Sequence, residues 1–428
     1  MEQIAFDPAD AKAALRALPQ RPAVFALYGA DAHAEPYIGR TPNLKGRLER
    51  LLEPSPKHPK RLQLAGRVRR IAWKLTGSDF ESLLVQFNTL EEVYGAMCLE
   101  RMHLKAPAFV RFLGSNRYPR IVVTNKPSRR EAEWAYGPFA SRAAAERYAE
   151  EALKLFLLRR CIDDLNPDPS HPGCVYSEMK MCLAPCYKGC TDERYAEEAG
   201  AVQEFFATRG ESRLVALRGR RDDASANLEY ETAAAIHAEV QKVESVRALA
   251  PELVRPMSHL RAVILQTATE NADEIAVFLF EGGKLRGPAA FSTIGMRIQN
   301  EQSGSSSLFA QPIGLEPVPE DEGAVSKDEG AGTEGLQKLP AASAAQRKAA
   351  RSMLEERMES VLAGLAADME EASATERLGH LALLKRWYYR PEAKRPGEIL
   401  FPDREGEWPL RAILRGVGRV AASTLRRD

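Results

Sequence analysis

Five of the chain's six cysteines fall between residues 161 and 190, in CIDDLNPDPSHPGCVYSEMKMCLAPCYKGC. That segment is short and rich in Pro, Gly and Asp, so it cannot build an apolar core of its own. Something else must hold its loops, and clustered thiols point to metal chemistry. Cys161, Cys174, Cys182 and Cys186 follow the spacing C-x12-C-x7-C-x3-C. Four thiolates suit tetrahedral zinc or an iron–sulfur cluster, and ligand chemistry alone leaves both open. Either group would fold the segment as it binds. Cys190 is a surplus thiol that could substitute for a neighbour.

The rest of the chain bounds the classes of function. A length of 428 residues predicts two to four domains, and 44% hydrophobic content supplies ordinary cores. Net charge is only +1, so the overall balance does not announce a nucleic-acid partner. No apolar run is long enough to span a bilayer. The first twenty residues lack the basic and apolar regions of a secretory signal. The expected location is therefore cytoplasmic, with no membrane partner, where clustered cysteines favour metal over disulfides.

Before the cysteines the chain reads as a small α/β domain; after them it is mainly helical, and then a small α+β region follows. Residues 7–18 predict a short helix capped by Asp7 or Asp10. PAVFALYG (22–29) and PYIGR (36–40) predict a hairpin. TPNLKGRLERLL (41–52) predicts a helix with Thr41 as its cap and Pro42 as its first residue. RIAWKL (70–75) predicts a strand and residues 79–97 an amphipathic helix. Between 40 and 74 eleven basic residues face only Glu49 and Glu53. They include Lys45, Arg50, Lys57, Lys60 and Arg61, candidate DNA contacts because such a run suits phosphate backbones. A solvated helix face is the plainer reading.

Residues 216–246 predict two amphipathic helices broken near Asn227–Tyr230. His237 is expected at the surface. RAVILQTA (261–268), EIAVFLFEGGKLRG (274–287) and PAAFSTIG (288–295) predict successive strands with a Gly-Gly turn. Residues 300–342 are rich in Ser, Gly, Glu and Pro, and are expected to be a disordered acidic linker. Two helices are expected over 344–369 and 374–389. The domain boundaries follow: 1–105, 106–195, 196–250, 251–299, 300–342 and 343–428.

PAVF, YIGRTPNLKGRL and TGSDFESLLVQFN resemble the GIY-YIG nuclease domain, in the version that opens the C-subunit family of the bacterial UvrABC excinuclease. RYPRIVVT, YGPFAS and LKLFLLRRC continue the resemblance into the cysteine segment. NLEYETAAAI resembles the UVR motif, although His237-Ala238 stands where that motif usually carries Arg-Asp. EILFP (398–402) resembles the lead into the family's RNase H-like domain. That domain, and the helix-hairpin-helix pair beyond it, are expected to be missing.

The resemblance implies a multidomain protein of nucleotide excision repair and the SOS response. It further implies a [4Fe–4S] cluster on Cys161, Cys174, Cys182 and Cys186, with zinc as the alternative. Damaged double-stranded DNA and the excinuclease B subunit, bound through the UVR-like hairpin, are the implied partners. For the nuclease site it implies Tyr37 as base or water-positioning hydroxyl, with Arg40 and Arg47 steadying the phosphate. Mg or Mn would be required if that site is active. Two positions depart: Phe25 stands where the first tyrosine belongs, and Gln86 where the metal-binding glutamate belongs. Tyr28 is on the wrong strand face to replace Phe25. Glu81 lies about 140° around the helix from position 86. A rescue by Glu91 would need a break in the helix.

Overall fold

The computed structural model describes the chain apart from residues 32, 54–63, 127–133, 163–164, 270, 272, 295, 299–314, 318–343, 368–370 and 426–428. The first unit runs β1 (Glu2–Ala5), α1 (Ala11–Arg16), β2 (Ala23–Tyr28), β3 (Tyr37–Thr41), α2 (Leu44–Leu52), β4 (Arg70–Leu75) and α3 (Asp79–Tyr94). Its strands form one antiparallel sheet in the order β1-β4-β2-β3. Asp7 caps the opening helical turn, accepting from the Ala9 N–H at 2.9 Å. The second helix starts later than its sequence suggests. Thr41 ends β3, and Asn43 is the cap, its Oδ1 accepting from the Gly46 N–H at 2.9 Å. An extended Thr41 stays in the ladder opposite Ala23, which moves the helix start downstream.

Alternation divides the side chains of this sheet. Ala23, Phe25, Leu27, Ile71 and Trp73 meet α1 and α2 in one core. The opposite face receives α3, which Ser78 caps by accepting from the Glu81 N–H at 3.0 Å. Nine of the sixteen residues of α3 are buried because the helix is shared. Its Phe80 ring lies 5.2 Å from Phe278 and 5.3 Å from Trp387, both far along the chain.

A short α4 (Cys98–Arg101) leads to the middle unit: β5 (Ala108–Phe112), β6 (Ile121–Thr124), β7 (Ala135–Phe139), α5 (Arg142–Leu153), α6 (Val175–Glu178), α7 (Asp192–Ala207), α8 (Glu211–Ala226), α9 (Tyr230–Ala248) and β8 (Arg255–Pro256). The sheet order is β6-β5-β7-β8. An aromatic core of Phe139, Tyr148, Phe156, Tyr195, Phe205 and Phe206 joins it to the helices. The expected helical hairpin is present as α8 and α9, turning through Leu228 at a positive φ of 62°.

The third unit holds β9 (Ala262–Thr267), β10 (Glu274–Glu281), β11 (Lys284–Ser292), β12 (Met296–Ile298), β13 (Leu315–Pro317), α10 (Ala344–Ala366), α11 (Ala374–Tyr388), β14 (Glu398–Leu400) and α12 (Leu410–Leu425). Its main sheet is ordered β11-β10-β9-β14. The turn falls at Gly282-Gly283, both at positive φ, and β11 continues as one strand past Gly287-Pro288, where the sequence suggested a division and where its pairing with β10 shifts register opposite Phe278. The acidic segment at 300–342 lies outside the described residues except for Leu315–Pro317, which pairs with β12.

The first and third units are fastened at Gly77. Its N–H donates to Glu81 Oε2 at 2.8 Å, its carbonyl accepts from Thr267 Oγ1 at 2.7 Å, and Thr269 Oγ1 donates to the same Glu81 oxygen at 2.9 Å. A Cβ at Gly77 would stand 2.4 Å from the Ala268 carbonyl carbon, so only glycine permits this approach.

Candidate functional site

Tyr37 and Arg40 lie three residues apart on the edge strand β3 and leave opposite faces of the sheet. Tyr37 is on the α1–α2 side. There Arg47, on α2, reaches its hydroxyl with Nη2 at 3.4 Å. Phe25 is fully buried beside Tyr37, with ring centroids 6.1 Å apart. The tip of the Phe25 ring reaches Gly39, whose missing side chain makes room for it: a Cβ there would come within 2.9 Å of the ring's ζ carbon. This position therefore contributes packing and no hydroxyl.

Arg40 is on the α3 side and pairs with Asp79, which also holds Arg390 at 2.7 Å. Burial would raise the Asp79 carboxyl, but the guanidiniums of Arg390 and Arg40 outweigh it and hold the carboxyl below its usual range. Asp79 and Arg390 were not among the residues expected from sequence. Asp79 is seven positions before Gln86, hence on the same helical line, and that spacing was visible. Arg390, over three hundred residues away, had no local signal.

Gln86 is half-buried on α3. No hydrogen bond or ion pair joins it to Tyr37, Arg47 or Arg40 among the described residues. Glu81 is 2% exposed, and its carboxylate is committed to Gly77 and Thr269. Helix α3 runs unbroken through Glu91, which lies within 3.5 Å of the Ser373 hydroxyl. Burial, and then the charge of Glu376, raise the Glu91 carboxyl above its usual range. The structure thus joins Tyr37 with Arg47, and Arg40 with Asp79, and leaves position 86 neutral.

Lys45 Nζ donates to the Arg16 carbonyl at 3.4 Å, and Arg50 is exposed with Nε donating to the Gly46 carbonyl at 2.9 Å. Lys57, Lys60 and Arg61 lie outside the described residues.

The thiols of Cys161, Cys174, Cys182 and Cys186 stand close enough to feel one another's charge. Burial first, and then neighbouring thiolates, push Cys182 up to about 11. Cys186 is raised by burial and by Cys174 and Cys161. Cys174 is lowered, chiefly by the backbone donor of Ser177. Among the described residues no three Cys, His, Asp or Glu side chains are drawn in as a closed metal-ligand set. The surroundings nevertheless suit an anionic thiolate group. The Ala184 N–H donates to Cys182 Sγ at 3.3 Å, and Arg159, 3% exposed, donates to Cys161 Sγ at 3.6 Å. Arg159 is fixed by donating from Nε to the Tyr118 carbonyl at 3.0 Å. Its neighbour Arg160 ties the loop to the carbonyls of Met181 and Leu153. The Arg-Arg pair directly before Cys161 was a readable sign of this arrangement. Cys190 packs against the aromatic core and is raised mainly by burial, so it behaves as an apolar side chain.

Residues 109–205, which hold three strands of the middle sheet and the four candidate thiols, match the family described as UvrC/Cho excinuclease, middle domain. The chain is UvrC-like. It is 26% identical to UvrABC system protein C of Aliivibrio fischeri over 239 residues, covering 56% of this chain and 39% of that protein. The Aliivibrio salmonicida protein is 26% identical over 304 residues, covering 70% and 49%. The Shigella dysenteriae protein is 28% identical over 241 residues, covering 56% and 41%. The matched stretch thus spans less than half of each of these relatives. No solved structure matches the chain. Among the described residues no helix is long and apolar enough to cross a membrane.

Proposed function

We propose that this UvrC-like chain is a DNA-binding component of nucleotide excision repair. It assists incision while its own GIY-YIG-like site does not cut. The observation that carries this reading is the neutral residue at position 86. Mg²⁺ sites in proteins rest on one or two carboxylates, and an amide supplies no charge to hold the ion. Glu81 and Glu91 do not supply the missing anion. The first is locked to Gly77 and Thr269, and the second lies more than a turn away on a continuous helix. Phe25 removes the hydroxyl that would orient water. Tyr37 and Arg47 remain together as groups able to bind a phosphate, while Arg40 is paired with Asp79 on the opposite face of the sheet. The competing reading is an active nuclease, which retention of the Tyr37–Arg47 pair favours.

Cys161, Cys174, Cys182 and Cys186 fit a [4Fe–4S] cluster, and zinc is the alternative. The donor set is all sulfur, and a buried guanidinium with a backbone N–H faces it, as a cluster of net negative charge requires. Such a group would supply a rigid cross-link to a segment without a core. Arg159 and Ala184 would stabilise its charge. The α8–α9 hairpin, with Leu228 and Tyr230 exposed at its turn, is proposed as the surface for the excinuclease B subunit.

The test combines DNA titration with gain of function. The parent chain should bind lesion-bearing duplex with steep salt dependence. The Phe25→Tyr/Gln86→Glu variant should gain Mn²⁺-dependent nicking that the parent lacks. A parent that binds no DNA would overturn the reading.

A further inference from the structure

A cavity rich in arginine lies far from the N-terminal site. It is a cleft of about 1140 Å³ between the start of α8 and the loops before β9 and after β14. Six arginines line it: Arg209, Arg213, Arg247, Arg255, Arg261 and Arg404. Four carboxylates also line it, but two are spent locally. Glu211 pairs with Arg247 at 3.0 Å and Arg404 at 3.4 Å. Asp403 accepts from the Glu405 and Glu407 N–H groups at 2.9 Å, closing its own loop. Arg261 pairs with Glu281 at 2.6 Å.

Arg209, Arg213 and Arg255 are left over. Among the described residues no carboxylate pairs with any of them. The Nε atoms of Arg209 and Arg213 are buried without a hydrogen-bond acceptor. Among the described residues Arg255 donates to the backbone carbonyls of Glu252 and Pro402, at 3.0 and 3.4 Å, and it lies over the Phe401 ring at 4.4 Å, as Arg213 lies over Phe156 at 4.7 Å. Burial, and then the nearby charge of Arg209, lower the Arg255 guanidinium. Guanidiniums crowded together, with buried donors unmet, are costly unless an anion arrives. The first turn of α8 opens on the same space behind Gly210, a cap with no side chain, and adds the positive end of a 16-residue helix.

We infer that this cleft is a second phosphate-gripping site, in which Arg209, Arg213 and Arg255 hold the backbone of the DNA strand bound by the chain. The inference deepens the proposed function and rests on its DNA-binding reading. Guanidinium forks match phosphate oxygens in geometry as well as charge. The contacts are to backbone, so the site adds affinity and orientation without sequence preference.

The experiment uses the whole chain and two probes: a fluorescent duplex followed by anisotropy across a salt series, and inorganic pyrophosphate followed by calorimetry. The variants are Arg209→Gln/Arg213→Gln, which keeps side-chain bulk, and Ala216→Glu, which adds a negative charge at an exposed helical position lining the cleft. Ala216→Glu covers the case in which the arginine variant does not fold. The expected result is a log affinity against log salt slope that is flatter by about two for the arginine variant. DNA affinity should drop about tenfold or more for Ala216→Glu, and both variants should lose pyrophosphate binding. Unchanged DNA binding in both variants would overturn the cleft and leave the proposed function standing. Pyrophosphate binding that depends on these residues, in a chain that binds no DNA, would overturn the DNA reading and make the cleft a site for a small phosphorylated ligand. A chain that binds neither probe would overturn both.

Discussion

Burial holds the His380 imidazole down at about 4, with Glu376 opposing and Lys284 and Arg286 reinforcing the shift. The neutral ring accepts from the Leu285 N–H at 3.1 Å and lies 5.1 Å from Phe87. An unfolded chain takes up this proton near 6.5, and the folded chain refuses it until about 4. Stability from this site is therefore full above pH 6.5 and is lost as pH falls through that window, by up to about 3 kcal/mol. Urea unfolding at pH 7.5 and pH 5 should show about 2 kcal/mol of that loss in the wild type, and a smaller pH difference in His380→Leu. Equal pH dependence in both would contradict the assignment. Glu81 makes a second prediction at this scale. Glu81→Ala strands the Gly77 N–H and the Thr269 hydroxyl, and should lower stability by about 1.5–3 kcal/mol in the same assay. Gly39→Ala should cost about 1–3 kcal/mol, because its new Cβ meets the Phe25 ring. A cost below a few tenths would mean that Phe25 moves freely, and that the pocket can accept a tyrosine.

The elements show what local sequence carries and what it omits. The strands at 23–28 and 70–75, the long α3 and the α8–α9 hairpin were legible, because hydrophobic period and Gly or Ser punctuation act over a few residues. The start of α2 was misread by two residues, because Thr41 and Asn43 are both good caps and the sheet ladder decides between them. The opening strand β1 was not foreseen. Four residues have too little pattern, and they become a strand only by pairing with β4. Half of the candidate site was legible in the same sense. Tyr37 and Arg47, both named from the motif, lie within hydrogen-bond reach, whereas the Arg40–Asp79–Arg390 set depends on α11 arriving from the far end of the chain. The hairpin gives its own prediction. Leu228 is 69% exposed in a left-handed conformation that costs a side chain about 1–2 kcal/mol. Leu228→Gly should keep or raise thermal stability while weakening B-subunit binding about tenfold by surface plasmon resonance. Lost stability with intact binding would mean that the tip serves the fold alone.

Across the whole molecule, α3 is the shared element: it covers one face of the first sheet and packs on Phe278 and Trp387 of the third unit. The neutral Gln86 therefore sits on a helix whose burial is structural, which explains how the helix persists without holding a metal. The cysteine segment joins the middle unit to its helices through Arg159, Arg160 and the thiols, so losing the proposed cluster should be felt beyond the loops. Cys182→Ser should abolish iron or zinc retention by metal analysis and lower the melting temperature. Full retention would place the ligands elsewhere. The most direct measurement is a strand-nicking assay on lesion-bearing duplex. The protein is prepared without oxygen, supplied with Mg²⁺ or Mn²⁺, and assayed with and without the excinuclease B subunit. Salt-sensitive binding and no cleavage by the parent chain are expected. Cleavage that Arg47→Ala abolishes would contradict this, and would mean that this site cuts DNA with a carboxylate other than one at position 86.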